Sequence, residues 1–363
     1  MFSLQGLMTL WLFGGKSKIM YFYNIQALRG IASLLVFFAH LVSFKSGIMP
    51  DWAVYYGYYL FGPSGVDIFF VISGFVVTLV AFKDAENEAP CKPVLSFIIK
   101  RIIRIYPVYW LVLMVAFIAS SYVALAPDWF PQVSLFKLVT LTTVTNNKVM
   151  VAWTLAYEMF FYLILSIAIF FRKKFFFFIY IWIFIEIILI SLVAVYKPEL
   201  NSFIPFNPQI LQFCIGAVIA QFIITYKMSY GRTVFFLGAI LFVVMAYVNV
   251  KLGSWSSPYN RVLTLTLPAA MLVYGAVVSE RDYKFRLSSI LEFFGNISFS
   301  LYLWHQLVFY IGEFYIRTND PFYEENKAMM LFFISVMALI VSIISYYFIE
   351  KPSQVYLRKY IFK

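Results

Sequence analysis

Residues 175–196 read FFFFIYIWIFIEIILISLVAVY, a run in which Glu186 is the one acidic or basic side chain. At about 1.5 Å of rise per residue, a helix of this length covers about 33 Å, enough to cross a bilayer core of about 30 Å. The run shows neither the two-residue alternation of a half-buried strand nor a polar stripe that would face water. Similar runs recur on both sides of it: Ile25–Phe44, Tyr56–Phe82, Ile105–Leu125, Met150–Phe171, Gln209–Tyr226, Thr233–Val250, Val262–Ser279, Ile297–Ile316 and Ala328–Ile349. The second is interrupted where Gly62-Pro63-Ser64-Gly65 breaks the helical pattern. Of the 363 residues, 63% are hydrophobic and 12% charged, whereas soluble domains are about half apolar and about a quarter charged. This balance excludes an ordinary cytosolic enzyme. It predicts an all-α integral membrane protein with about ten transmembrane helices, one per apolar run.

The net charge of +11 invites a nucleic-acid partner, but the placement of the charges argues against one. With the N-terminus inside, 20 of the 28 basic residues fall on one face, among them Arg29, Lys100, Arg101, Arg104, Arg172, Lys173, Lys174, Arg281 and Lys351. The other 8, including Lys45, Lys148, Arg261 and Arg317, fall opposite. That asymmetry is the positive-inside pattern, with both termini cytoplasmic and the chain in the cell (inner or plasma) membrane. The basic excess is topogenic, so no nucleic acid is expected, and the lipid bilayer is the first partner. Cys91 and Cys214 lie in a cytoplasmic loop and a span, which makes a disulfide between them unexpected. Residues 1–22 read as an N-terminal extension, untranslated or disordered, with Met20 a candidate start. Residues 23–363 read as one membrane domain without internal repeats. Its largest loops are Lys83–Arg104 inside and Ala126–Val149 outside, the latter with a surface helix expected over Val133–Val144.

Ionisable groups inside a membrane protein are costly and mark function. Arg29 and His40 share the first span, and eleven helical steps of about 100° bring them to one face, about 16 Å apart along the axis. Arg29 also reads as a snorkelling anchor, and His40 as an interhelical hydrogen-bond donor. Glu158 forms a stripe with Thr154 and Tyr162 near the outer end of its span, at a depth similar to His40. A carboxylate beside an imidazole fixes its tautomer and raises its basicity; a structural pairing of Glu158 with an arginine is the bland alternative. Asp67 sits at the outer interruption of the second span, as a cavity residue or a helix cap. Arg101 and Arg104 share a face at the cytoplasmic end of the third span, where guanidinium forks suit phosphate or serve as anchors. His305 lies mid-span on a face with Ser298 and Tyr302; Glu186 has no polar companion three or four residues to either side and is expected to bond to a neighbouring helix. Two histidines in different spans and two separated cysteines form no zinc set, and no GxxxxGK[ST] loop is present.

The residues in order resemble the type-3 acyltransferase family, membrane O-acyltransferases that modify cell-surface glycans. The resemblance rests on Leu28-Arg29-Gly30-Ile31-Ala32 with His40, Gly65-Val66-Asp67-Ile68-Phe69-Phe70-Val71-Ile72-Ser73-Gly74-Phe75, Phe97 to Arg101 with Arg104 and Ile105-Tyr106-Pro107-Val108-Tyr109, Trp153-Thr154-Leu155 with Glu158, Phe161 and Tyr162, Ile297-Ser298-Phe299-Ser300-Leu301-Tyr302-Leu303-Trp304-His305, and Ile349-Glu350-Lys351-Pro352. Ala156-Tyr157 and Phe299 depart from the family's usual smaller aliphatic and tyrosine, both at packing positions. The resemblance implies a donor, acetyl-CoA or another acyl-CoA, bound from the cytoplasm by Arg29, Arg101 and Arg104, with no permanently bound cofactor. It implies that His40 acts as general base or acyl carrier, oriented by Glu158. Asp67, Trp153, Tyr302 and His305 would support the site or the acceptor, a cell-surface polysaccharide, glycolipid or lipid-linked saccharide. The competing classes are a transporter or flippase of lipid-linked saccharides, without visible repeat symmetry, and a glycosyltransferase, without an acidic metal-binding loop.

Overall fold

The computed structural model describes residues 9–10, 18–19, 21–42, 62–86, 91–122, 132–146, 148–227, 229–252, 257–319 and 321–361. Its long elements are helices: α1 (Tyr23–Val42), α2 (Gly62–Ala85), α3 (Cys91–Ala119), the short α4 (Leu135–Thr140), α5 (Trp153–Phe170), α6 (Phe175–Tyr196), α7 (Ile210–Thr225), α8 (Gly231–Lys251), α9 (Pro258–Tyr283), α10 (Ser289–Asn319), α11 (Pro321–Ser345) and α12 (Lys351–Ile361). A π-helical turn, Tyr346–Glu350, joins the last two. Thr9–Leu10 pairs antiparallel with Lys18–Ile19; the rest of residues 1–20 and all of 43–61 lie outside the described residues.

Among the described residues, eight stretches are long and apolar enough to cross a membrane: α1, α2, α3, α5, α6, α8, α9 and the segment Ala328–Leu357. The two remaining apolar runs of the sequence are helices of another kind. α7 is apolar but has 16 residues; α10 has 31 and carries Asn296, Ser298, Ser300, His305 and Gln306 along its length. On α6, Phe177, Phe184 and Val195 are largely exposed. Apolar area of that extent has no stable place in water and fits lipid chains.

Two sequence expectations change in form. Gly62-Pro63-Ser64-Gly65 is the first turn of α2 rather than a break within it, because a proline in the first turn lacks only an N–H that has no helical partner there anyway. The loop expected over Lys83–Arg104 shrinks to a few residues, since α2 runs to Ala85 and α3 starts at Cys91. Arg101 and Arg104 therefore stand well inside α3, not at its end. Their charge marks an internal cavity, not a connection. The surface helix expected over Val133–Val144 is the six-residue α4, fastened to α3 where Tyr106, Tyr109 and Trp110 donate to the carbonyls of Thr140, Leu138 and Val139.

Glycines set how the long helices meet. A Cβ on Gly30 would collide with the Leu291 carbonyl, and one on Gly295 with the Gln26 carbonyl, so the backbones of α1 and α10 touch. Gly74 and Gly216 bring α2 and α7 together in the same way. Close backbone approach by small residues is the usual means of holding helices together in lipid. Gly295→Ala should accordingly destabilise the purified protein by about 1–3 kcal/mol, read as a lower midpoint of thermal unfolding in detergent. Gly312→Ala, whose added methyl meets only the Ile334 side chain, should cost less.

Candidate active site

Helices α1, α2, α3, α5 and α10 and the α11–α12 junction enclose a cavity of about 930 Å³. Its lining on α2 runs from Val66 to Asp84, a rise of about 27 Å and thus most of a bilayer core. Lys83, Asp84, Lys100 and Lys351 stand at one end, where Lys100 reaches Asp84 at 3.5 Å. Tyr21 lies on the rim, its hydroxyl 3.0 Å from Glu292 and 3.1 Å from Asn296; burial and the Glu292 carboxylate raise its phenol above the usual tyrosine range. Further in come Arg29, Arg101, Arg104, Glu158 and Glu350, and Phe70, Thr154 and Tyr302 line the opposite end.

The basic side chains are held in place. Arg101 is buried, its guanidinium 5.2 Å from the Phe97 ring centroid and 5.5 Å from that of Tyr162, a geometry in which the ring faces attract a cation. Tyr162 donates its hydroxyl hydrogen to Glu158. Arg29 donates to Gln26 Oε1 at 3.0 Å. The π turn carries the buried Glu350 inward, where it accepts from Ser300 at 2.7 Å. Six basic residues against three carboxylates line the cavity, which therefore favours a polyanionic ligand.

Beyond that end lies a histidine pair, neither member of which lines the cavity. His305 Nε2 is 3.1 Å from His40 Nδ1, and each ring also meets its own helix, His40 Nδ1 at 3.0 Å from the Val36 carbonyl and His305 Nδ1 at 2.8 Å from that of Leu301. Tyr302, one turn before His305, donates to the Val151 carbonyl at 3.0 Å and accepts from Thr154 at 3.1 Å. These bonds form a polar roof between the cavity and the two imidazoles.

The structure thus gathers the expected residues into two groups. Arg29, Arg101, Arg104 and Glu158 share the cavity; His40 and His305 share the site above it, with Tyr302 between. The expected His40–Glu158 pairing is not what the geometry provides. Thr154 meets Tyr302, and Glu158 lies one turn further toward the arginines while His305 lies one turn the other way, so the carboxylate and the imidazoles differ in depth by about 10 Å. Position along separate spans, from which equal depth was expected, ignores where each helix begins. Trp153 packs edge-on against Phe70 and Tyr157, centroids 6.0 and 5.8 Å away. Glu186 is buried on α6, away from the cavity. No group of three or more His, Cys, Asp or Glu able to hold a metal occurs among the described residues.

Asp67 proves to be neither a cap nor a cavity residue. It is fully buried and accepts from both Arg261, at 3.1 Å to each oxygen, and Gln212 at 2.7 Å. Arg261, counted from sequence among the outer charges, is its buried counter-ion from α9; a single arginine at the start of an apolar span was the available signal. Removing one member of a buried pair costs about 3–5 kcal/mol. Asp67→Leu and Arg261→Met should each sharply reduce the yield of folded protein, and the double variant should recover part of it, measured by monodisperse yield and thermal midpoint in detergent.

No solved structure matches the chain. The exopolysaccharide production protein ExoZ of Rhizobium meliloti (strain 1021) is 28% identical over 258 residues, covering 68% of this chain and 77% of ExoZ. A Staphylococcus aureus (strain COL) protein named "Putative O-acetyltransferase SACOL0978" is 24% identical over 379 aligned residues, covering 92% of this chain and 58% of the relative; the chain spans little more than half the length of that protein. The family model for the acyltransferase domain matches residues 22–347, and since that is most of the sequence, the chain belongs to this acyltransferase family.

Proposed function

We propose that this protein transfers an acyl group, in the simplest case acetyl, from cytoplasmic acyl-CoA to a hydroxyl of a cell-surface polysaccharide or glycolipid. The observation that carries this reading is the long basic cavity whose lining reaches Tyr302, one turn short of a histidine pair. A donor with phosphates at one end and a thioester at the far end of a long arm suits a cavity that is rich in basic residues towards one end and lined by Phe69, Phe70 and Leu155 towards the other. In this reading all ten apolar helices cross the cell membrane, both termini are cytoplasmic, and Lys83, Lys100 and Lys351 mark the inner mouth. The names of the relatives, exopolysaccharide production and O-acetyltransferase, support a glycan hydroxyl as acceptor.

Arg29, Arg101 and Arg104 take the donor's phosphates, where charge-assisted bonds are strongest. Glu158 and Glu350 balance these arginines and keep their forks directed into the cavity. The thioester then lies near Tyr302 and Thr154, whose mutual bond has to yield for it to meet His40. A sugar hydroxyl is a weak nucleophile at neutral pH, so the step needs a base. His40 Nε2 takes the hydroxyl proton as the oxygen attacks the thioester carbonyl; the C–S bond breaks and the proton passes to the departing thiolate. The alternative is that Nε2 attacks the thioester first, expelling the thiolate, and then passes the acyl group to the hydroxyl as the N–C bond breaks, the hydroxyl proton going to that thiolate. Both routes use the same atom.

His40→Ala should lower transfer from radiolabelled acetyl-CoA to isolated cell-surface glycan by at least about 100-fold, with the protein still inserted and monodisperse. Undiminished labelling by that variant would remove His40 from the chemistry. Arg104→Ala should weaken acetyl-CoA binding by about 10- to 100-fold, the worth of a charged hydrogen bond, with turnover at saturating donor much less affected. Calorimetric titration separates this from an anchoring role, which would leave affinity unchanged.

A further inference from the structure

We infer that His305 is a positioning residue for His40: it fixes the tautomer of the reacting imidazole and supports the cation formed when that ring takes a proton. The inference rests on His40 being the base or acyl carrier, and it moves to a neutral histidine the role that sequence reasoning assigned to Glu158.

The hydrogen-bond partners decide the proton positions. A carbonyl oxygen only accepts. His305 Nδ1 lies 2.8 Å from the Leu301 carbonyl, so it carries the hydrogen, and in the neutral ring Nε2 then holds a lone pair. His40 Nδ1 lies 3.0 Å from the Val36 carbonyl, so it too carries a hydrogen, shared between that carbonyl and the Nε2 of His305 at 3.1 Å. The reactive lone pair of His40 is thereby placed on Nε2. When Nε2 gains the hydroxyl proton, or an acyl carbon, the ring becomes cationic and its Nδ1–H a stronger donor. Two acceptors already face that hydrogen, and neither ring has to turn. The same proton leaves from Nε2 toward the thiolate, so His305 neither gains nor loses one.

The setting of His305 is that of a fixed support. It is 1% exposed, with Phe37, Tyr302 and Phe309 around it at centroid distances of 6.1, 6.0 and 5.8 Å. His40 is less enclosed, as a group that meets two substrates must be. Both histidines stand ten residues beyond the glycines through which α1 and α10 touch, so the contact that sets the helix register also sets the imidazole pair.

The test compares His305→Leu, His305→Gln and His305→Asn with His40→Ala, using labelled acetyl-CoA and glycan acceptor with donor affinity measured separately. The amide end of glutamine falls where Nε2 stood and can accept the Nδ1–H; that of asparagine falls where Nδ1 stood and cannot. Turnover should drop about 100-fold in the leucine and asparagine variants, with acetyl-CoA affinity unchanged. The glutamine variant should recover to within about tenfold of the parent, while leucine in the His40→Ala background should cause no further loss. Leucine at parental turnover beside an inactive His40→Ala overturns the positioning role and leaves His40 as base. Glutamine falling as low as asparagine, at an unchanged thermal midpoint, overturns it too. An active His40→Ala removes the functional reading itself. Should the leucine variant fail to fold, the glutamine–asparagine comparison decides alone: equal activities refute the inference.

Discussion

Gly30 and Gly295 allow the backbones of α1 and α10 to touch, and the chemistry proposed for this protein depends on the register that this contact sets. In lipid there is little hydrophobic gain from pressing two apolar helices together, so close packing and interhelical hydrogen bonds decide which faces meet. The two helices run in the same direction from their glycines, and ten residues further on His40 and His305 meet across them. A 3.1 Å bond between ring nitrogens tolerates little sliding or rotation. Larger residues at the glycine positions would part the helices, and the imidazoles would separate with them. The packing defect and the chemical defect would be one event.

The cavity below that contact presents a different physical problem, which is how to keep several cations inside a membrane protein before any ligand arrives. Arg101 lies over two aromatic faces, and Arg29, Arg101 and Arg104 share their space with Glu158 and Glu350. Glu158 is itself tied by Tyr162 and Glu350 by Ser300, so the carboxylates are anchored while the guanidinium groups keep donors to spare. An arginine has more N–H groups than one carboxylate can use. The surplus is what a phosphate can take. Asp67 and Arg261 differ: both are buried, they face one another through both carboxylate oxygens, and they serve to fasten α2 to α9.

How much of this was legible in the sequence depends on whether the deciding contact was local. The membrane class, the helices and the shared face of Arg29 and His40 follow from composition and from 3.6-residue periodicity within single segments. The membrane class and the helical architecture stand in the structure, where eight stretches among the described residues are long and apolar enough to span. The site's inventory was legible too, because a polar residue in an apolar run stands out wherever it points. Partnership was not. His40 and His305 are 265 positions apart, and Asp67 and Arg261 are 194; no property of one segment encodes the offset of another. Arg261 read as an outer-loop charge because a basic residue at the start of a span usually is one. Charge likewise misplaced the start of α3, where lysines and arginines suggested a loop but face a cavity within a helix.

The exchange of partners between Glu158 and His305 has an electrostatic rationale. A carboxylate held against His40, far from the arginines, would leave an ion deep in the protein whenever the imidazole was neutral. A neutral histidine leaves the pair uncharged until a proton or acyl group arrives, so no isolated charge has to be maintained in a medium that solvates it poorly. Glu158 instead shares the cavity with the arginines, whose positive charge opposes its own. Support for the transient imidazolium is weaker from a neutral acceptor than from a carboxylate, and that also suits the reaction. The proton has only to be held while the thioester opens, and a base that binds it less tightly yields it sooner to the thiolate.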